Sequence, residues 1–212
     1  MPGVALRPPL LLLALVLASC SARSFPQESA PPAPVRAEPL ALRAGVRDAS
    51  AGPNVGRIRA GDVAERFARE LREAGLFADV VFPLTELSPV EPDVTLEVQV
   101  ASKHDLHPWQ NLLKDLAVGL SVLLLQPLLP TTWDLDLDLG VRARDREGRT
   151  LVESRQSSRF RFESTWLRAP EDALVRWHAD AVDFAVRALV ARLAGEGAGW
   201  PRARPRGAQP SP

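Results

Sequence analysis

The hydrophobic positions of the chain repeat with two periods, and each period predicts one kind of element. A repeat of two places apolar side chains on one face of a strand, and a repeat of three to four places them on one face of a helix. The first pattern predicts strands over residues 40–47, 78–82, 94–100, 133–141 and 149–162. The second predicts a helix over 62–74, with Asp62 as its N-cap, and a long helix from Pro170.

The order of these elements predicts an α+β fold. Strand, helix, strand and strand come first, and a hairpin and a long helix follow. A strand–helix–strand succession favours a right-handed crossover and a sheet covered by helices. We therefore expect a mixed sheet of about five strands, two main helices packed on it, and an apolar helical insert before the C-terminal hairpin.

The predicted hairpin carries alternating charges. Asp134, Asp136 and Asp138 alternate with leucines, and a four-residue turn over 145–148 would set Asp138 opposite Arg155 and Asp134 opposite Arg159. The preferred interpretation is a solvated strand face paired with arginines. A calcium loop is the alternative, but an EF-hand needs glycine at its sixth position, where this chain has Leu139.

Residues 109–129 form the unusual apolar insert. From Leu116 to Leu129 the sequence is apolar nearly all round, but it is too short to span a bilayer as a straight helix, which needs roughly 20 residues. One hypothesis is a buried helix that covers the sheet. The other is an exposed membrane or partner contact. The residues assigned to that contact are Leu116, Leu120, Leu123 and Leu124.

The N-terminus has the features of a secretion signal. Arg7 precedes an apolar run from Leu10 to Val16, and Leu17-Ala18-Ser19-Cys20 follows. This arrangement resembles the lipobox of bacterial lipoproteins. The resemblance implies cleavage after residue 19 and acylation of Cys20, the single cysteine, with fatty acids such as palmitate. Because Ser21 follows, it also implies the cell envelope, at the periplasmic face of the outer membrane.

The remaining boundaries follow from composition. Residues 1–19 are the predicted signal peptide, and 20–39 are the acylated cysteine with a proline-rich tether that would reach on the order of 50 Å. Residues 40–194 are predicted to form one α/β domain. Residues 195–212 are predicted to be a disordered tail in which Trp200 is exposed.

Charge and motifs exclude several classes of function. Lys+Arg and Asp+Glu number 26 each, so no basic surface for nucleic acid is expected. The sequence contains neither a phosphate-binding P-loop nor a Gly-x-Ser-x-Gly elbow, and no cofactor is predicted. His104 and His107, with distant His178, are the only candidate imidazole ligands for a metal.

A looser resemblance covers residues 40–102, the last hairpin and the last helix. It consists of Leu71-x-x-x-x-Leu76-Phe77-x-x-Val80 and then Pro92-Asp93-Val94-x-Leu96-x-Val98. This pattern of residues is similar to the one in the α/β domain of the TolB N-terminal region. It is also similar to the pattern in lipoproteins for penicillin-binding-protein activation, curli secretion and Pel polysaccharide export. The resemblance to this group implies a non-catalytic role at the outer membrane.

The sequence therefore predicts a non-enzymatic, membrane-anchored envelope lipoprotein with a binding or assembly role. The expected partners are the membrane, through the N-terminal lipid, and an envelope protein or further copies of the chain. The alternative hypothesis is a lipid-anchored enzyme or metal-binding protein that uses His104, His107 and the Asp134–Asp138 strand face.

Overall fold

A computed structural model describes residues 23–26, 39–52, 58–88, 91–105, 107–120, 131–164, 171–196 and 200. Within them, the helices are α1 (Ala60–Glu73), α2 (Pro108–Leu120) and α3 (Glu171–Gly195). The strands are β1 (Arg23–Pro26), β2 (Leu40–Val46), β3 (Ser50–Ala51), β4 (Phe77–Val81), β5 (Val94–Asp105), β6 (Thr131–Asp145) and β7 (Thr150–Ser164).

The strands form a mixed sheet in the order β1-β7-β6-β5-β2-β4, with β3 paired to β5. Strand β2 runs parallel to β4, as the predicted crossover through α1 requires, and it also runs parallel to β5. Strand β1 runs antiparallel to β7. The predicted α+β class and mixed sheet are confirmed. Strands β1 and β3 were not predicted.

The described residues fall into two compact units. The first comprises those within Met1–Glu28, His104–Asp136 and Arg159–Asp180, and the second those within Ser29–Lys103, Leu137–Ser158 and Ala181–Pro212. Both units are built from stretches that are distant in the sequence.

The core of the second unit includes the apolar face of α1. Val63, Phe67 and Leu71 are fully buried, as their spacing predicts. The helix begins at Ala60 and not at the predicted cap: Asp62 lies in the first turn, and Arg59 occupies the N-cap without a side-chain hydrogen bond.

The core of the first unit is aromatic. The ring of Phe162 stacks on Trp133 at 6.0 Å and on Trp177 at 5.6 Å between centroids. Leu135 and Phe160 are buried in the same unit. The alternation predicted for this hairpin therefore places the expected apolar side chains inside.

The hairpin turns at Gly148, within the predicted turn, but its ion pairs differ from the prediction. Gly148 adopts φ +80°, and the backbone N–H of Asp145 donates to the carbonyl of Arg149 at 3.0 Å. Left-handed backbone of this kind is accessible to glycine without strain. The ion pairs differ by two residues from those predicted: Asp136 pairs with Arg159, and Asp134 pairs with Arg161. A shift of two leaves every side chain on its predicted face.

Strand β1 lies inside the segment predicted to be an extended tether. Arg23 is opposite Glu163 of β7, and Pro26 is opposite Phe160. The prediction rested on the lack of apolar side chains in this segment. A strand can nevertheless be held through its backbone hydrogen bonds, which do not depend on side-chain type.

The prediction that Trp200 is exposed in the tail is wrong. Its side chain is buried, its indole N–H donates to the carbonyl of Leu193 at 3.4 Å, and its ring meets Phe77 edge-on at 5.2 Å. Composition alone suggested an exposed aromatic. The second unit provides both an apolar surface and a hydrogen-bond acceptor, as a buried indole requires.

Candidate functional site

Helix α2 exposes its apolar face. The leucines and the tryptophan on this face follow the spacing of one helical stripe, three or four residues apart. Their exposed fractions are 77% for Trp109, 49% for Leu112, 68% for Leu113, 54% for Leu116 and 80% for Leu120. We refer to these five residues as the α2 face. The buried-helix hypothesis is therefore wrong for this part of the insert.

Two polar side chains of α2, Asn111 and Lys114, face the protein. Asn111 donates a hydrogen bond from its side-chain nitrogen to the carbonyl of Thr132 at 3.4 Å. Lys114 donates from Nζ to the hydroxyl of the same threonine at 3.3 Å. Both side chains are less exposed than the leucines around them. A surface helix normally buries its apolar stripe, so α2 has the reverse orientation.

His107 positions the start of α2. Its carbonyl accepts the first helical hydrogen bond, from the backbone N–H of Asn111 at 3.1 Å, and Pro108 follows at the first helical position. The backbone of His107 has φ +45°, which few residues other than glycine adopt. Its ring nitrogen Nε2 lies 3.0 Å from Oδ2 of Asp134 on β6.

Asp134 is the charged residue that connects the start of α2 to the hairpin. Its side chain is only 10% exposed, and Arg161 of β7 donates to it from Nε at 3.0 Å. The Arg161 hydrogen bond lowers the pKa of Asp134 below its ordinary value of 3.8, burial opposes this, and His107 adds a smaller lowering. Asp134 is thus an anion that fixes one end of α2 to the hairpin.

The other two aspartates have different environments. Asp136 forms an ion pair with Arg159 at 2.5 Å in the first unit. Asp138 is exposed in the second unit and lines an open cleft with Arg155 and Gln156. The interpretation of an arginine-paired strand face therefore describes Asp134 and Asp136.

The histidines also have separate partners. The ring of His104 lies 5.4 Å from that of His178, whereas His107 contacts Asp134. Among the residues that the structure describes, no group of three or more His, Cys, Asp or Glu side chains is placed to hold a metal ion. The proposed use of His104 and His107 together, with the Asp134–Asp138 face, has no support in this geometry.

The structure places two of the four leucines assigned to a contact, Leu116 and Leu120, on the α2 face. Leu123 and Leu124 lie outside the described residues, as does Cys20. Sequence reasoning missed Asn111, Lys114 and Thr132 as the polar attachment of α2. The signal was the three-residue spacing of Asn111 and Lys114, which puts them on one side of a helix.

Within the described ranges, none of the helices has the length and apolar character needed to cross a membrane. Helix α2 has 13 residues and is about 20 Å long.

Comparisons with known proteins found similarity to solved structures only. No protein-family model matches the chain, and no curated protein matches it. The chain is similar to lipoprotein B of Nitrosomonas europaea, with 12% identity, a TM-score of 0.42, and coverage of 77% of this chain and 91% of that one.

Two further solved structures show a similar degree of likeness. A minor lipoprotein of Acinetobacter baumannii has 12% identity and a TM-score of 0.38, over 79% of this chain and 100% of that one. A PelC dodecamer of Paraburkholderia phytofirmans has 13% identity and a TM-score of 0.36, over 81% and 95%.

Proposed function

We propose that this chain is a lipid-anchored envelope lipoprotein that works by binding, without catalysis, as a component of an assembly at the outer membrane. The observation that carries the proposal is the reversed orientation of α2. The helix attaches to the protein through Asn111 and Lys114 and presents Trp109 and its leucines outwards. Exposed apolar surfaces of this kind are typical of contact sites.

The observed orientation of α2 leaves its leucines exposed and is accompanied by specific polar contacts. Rotation of α2 by half a turn would bury the leucines, and the hydrophobic effect favours such burial by about 1.5–3 kcal/mol per large side chain. The contacts at His107, Asn111 and Lys114 instead hold the polar side inwards. These leucines are not buried in the isolated chain. A partner surface that covers them would therefore gain the hydrophobic free energy of their burial.

The lipid anchor is the second part of the proposal. Cys20 follows an apolar run and small residues, the pattern that resembles a lipobox. Acylation would place the chain at a membrane surface, where assembly partners are concentrated in two dimensions.

Mass spectrometry of the mature N-terminus tests the anchor. We expect a chain that begins at acylated Cys20 and that partitions with membranes, whereas Cys20→Ala remains in the aqueous fraction or unprocessed. A mature chain that begins at any other residue, or that carries no acyl group, would contradict the proposal.

Crosslinking in intact envelopes tests the binding role. The wild-type chain should form discrete crosslinked species with other envelope proteins, and the double variant Leu116→Ser and Leu120→Ser should form fewer of them, because the chain is no longer held against its contact surface. Leu87→Ser is the matched control, since Leu87 is 93% exposed but lies outside α2. Equal crosslinking of all three proteins would exclude α2 as the binding surface.

A further inference from the structure

We propose that the α2 face lies on the bilayer that holds the acyl chains of Cys20. This inference rests on the proposed function and specifies it: the surface that α2 contacts is lipid. It follows from where β1 enters the sheet, from the short chain between β1 and Cys20, and from the residues of the α2 face.

Strand β1 and helix α2 attach to the same end of the β6–β7 hairpin. Ser24 of β1 is opposite Phe162 of β7, and Phe162 stacks on Trp133 of β6. Thr132, which directly precedes Trp133 in β6, accepts the hydrogen bonds from Asn111 and Lys114. All these residues belong to the first unit.

A second set of contacts gives the same placement. Phe25 of β1 is opposite Arg161, and Arg161 bonds Asp134 at 3.0 Å. Asp134 in turn lies 3.0 Å from the ring of His107, which opens α2. The N-terminal strand and the first turn of α2 are therefore joined through two side chains of the hairpin.

The chain between the anchor and β1 is short. Cys20 precedes Arg23 by three residues, which span at most about 10 Å even when fully extended. An acylated Cys20 must therefore lie within that distance of the end of β1. The bilayer surface then lies close to the hairpin end that carries α2. It is not separated from that end by a long proline-rich tether.

The composition of the α2 face suits a lipid surface. Trp109 stands at the N-terminal end of the stripe, and an amphipathic indole favours the level of the lipid headgroups. The leucines that follow are suited to the acyl boundary, while Lys114 keeps its charge on the opposite side. A helix of 13 residues lies in the plane of the interface.

Proximity makes lipid the favoured occupant over a second copy. Contact between α2 and the anchoring bilayer is intramolecular once the acyl chains have inserted, so its effective concentration is high for such a short connection. A second copy must instead be met by diffusion in the membrane.

Quenching of Trp109 by lipid tests the inference. The acylated mature protein is reconstituted into phosphatidylethanolamine–phosphatidylglycerol vesicles that contain brominated phosphatidylcholine. The chain has five tryptophans, so the signal of Trp109 is taken as the difference between wild type and Trp109→Phe. We expect the brominated lipid to quench about half or more of this difference emission, as at an interfacial depth.

Two variants isolate the contribution of α2. The double variant Leu112→Glu and Leu116→Glu should lose the quenching while it still floats with the vesicles. Leu87→Glu introduces the same charge at an exposed leucine elsewhere and should retain the quenching. Near-ultraviolet circular dichroism of each variant checks that the aromatic core remains packed.

The outcomes separate this inference from the proposed function. A protein that floats with vesicles but shows no quenching of Trp109 overturns the bilayer contact and leaves the lipoprotein assignment intact. Loss of quenching together with crosslinked dimers of the chain would identify a second copy as the occupant, which also overturns the inference. A chain that is not acylated at all contradicts the proposed function.

Discussion

At the scale of single residues, Asp134 has the most influence on the site. Its buried carboxylate receives Arg161 from the neighbouring strand and contacts the ring of His107, which opens α2. A buried carboxylate must be compensated by such partners, since an unpaired charge would be strongly destabilising. The same partners keep it ionised, which is why its pKa lies below the ordinary value.

Asp134→Asn should lower the free energy of unfolding by about 1–2 kcal/mol at pH 7. A hydrogen bond to a charged group contributes about 1.5–3 kcal/mol, and Arg161 is 44% exposed, so part of this is lost to solvent screening. The folded-state pKa is lowered, so the contribution is complete above the unfolded value near 3.8 and is lost as the pH falls through the folded value.

Urea unfolding of wild type and Asp134→Asn between pH 7 and pH 2.5 measures this difference. The gap should be constant down to about pH 5 and close below about pH 4. Asp138→Asn, at an exposed position of the same strand, is the control. A gap that widens on acidification would mean that the pKa of Asp134 is raised in the folded protein.

Trp200 offers a comparison between a buried and an exposed indole. Trp200→Ala should cost about 3–5 kcal/mol of unfolding free energy, because the side chain leaves a cavity beside Phe77 and loses its hydrogen bond to Leu193. Trp109→Ala should cost less than about 0.5 kcal/mol in lipid-free solution, since its ring is 77% exposed. Thermal unfolding of both variants tests this; equal losses would place Trp200 outside the core.

At the scale of elements, α2 and α1 show how similar patterns lead to opposite orientations. Both helices have an apolar stripe and a polar side. Helix α1 buries its stripe of Val63, Phe67 and Leu71. Helix α2 turns its stripe outwards, and its polar side chains Asn111 and Lys114 bond to the edge of the hairpin at Thr132.

Serine at both Leu113 and Leu116 should change the free energy of unfolding by less than about 0.5 kcal/mol per site in lipid-free solution, because both side chains are exposed. Leu135→Ala should cost about 2–5 kcal/mol, because Leu135 is fully buried. Chemical denaturation of wild type and both variants provides the comparison. A large loss in the α2 variant would show that its leucines are buried in solution.

At the scale of the whole molecule, β1 sets the length of chain between the folded protein and the anchor proposed at Cys20. The proline-rich stretch predicts a lead of about 50 Å, but that estimate begins at Cys20. Because residues 23–26 pair with β7, only Ser21 and Ala22 separate the proposed acylation site, Cys20, from β1. The rest of the proline-rich stretch follows β1 and leads to β2.

Lengthening this connection should weaken the contact of α2 with lipid. A flexible insert of about 20 residues between Ser21 and Ala22 lowers the effective concentration of α2 at the bilayer on the order of ten-fold. The quenching of Trp109 by brominated lipid should fall accordingly. The same insert within residues 201–212 is the control, and equal effects of both inserts would contradict the role of the short connection.

Most elements could be predicted from the sequence because their signals are local. Apolar spacing of two and of three to four specifies where strands and helices lie, and it places Val63, Phe67 and Leu71 on one apolar helix face. The predicted hairpin ion pairs were wrong by two residues, because a shift of two keeps every side chain on the same face and the alternation of charges therefore fits both pairings. Strand β1 was missed because its pairing is made by backbone and leaves no side-chain pattern.

The sequence by itself determined the fold class, the faces of the strands, the presence of an apolar helix and the predicted anchoring cysteine. Only the tertiary structure decided which side of α2 meets the protein, that β1 pairs with the hairpin, and that Trp200 is buried. The physical reason is that amphipathic spacing defines two faces of a helix but not their direction. That direction depends on contacts with residues distant in sequence, here Thr132 and Asp134.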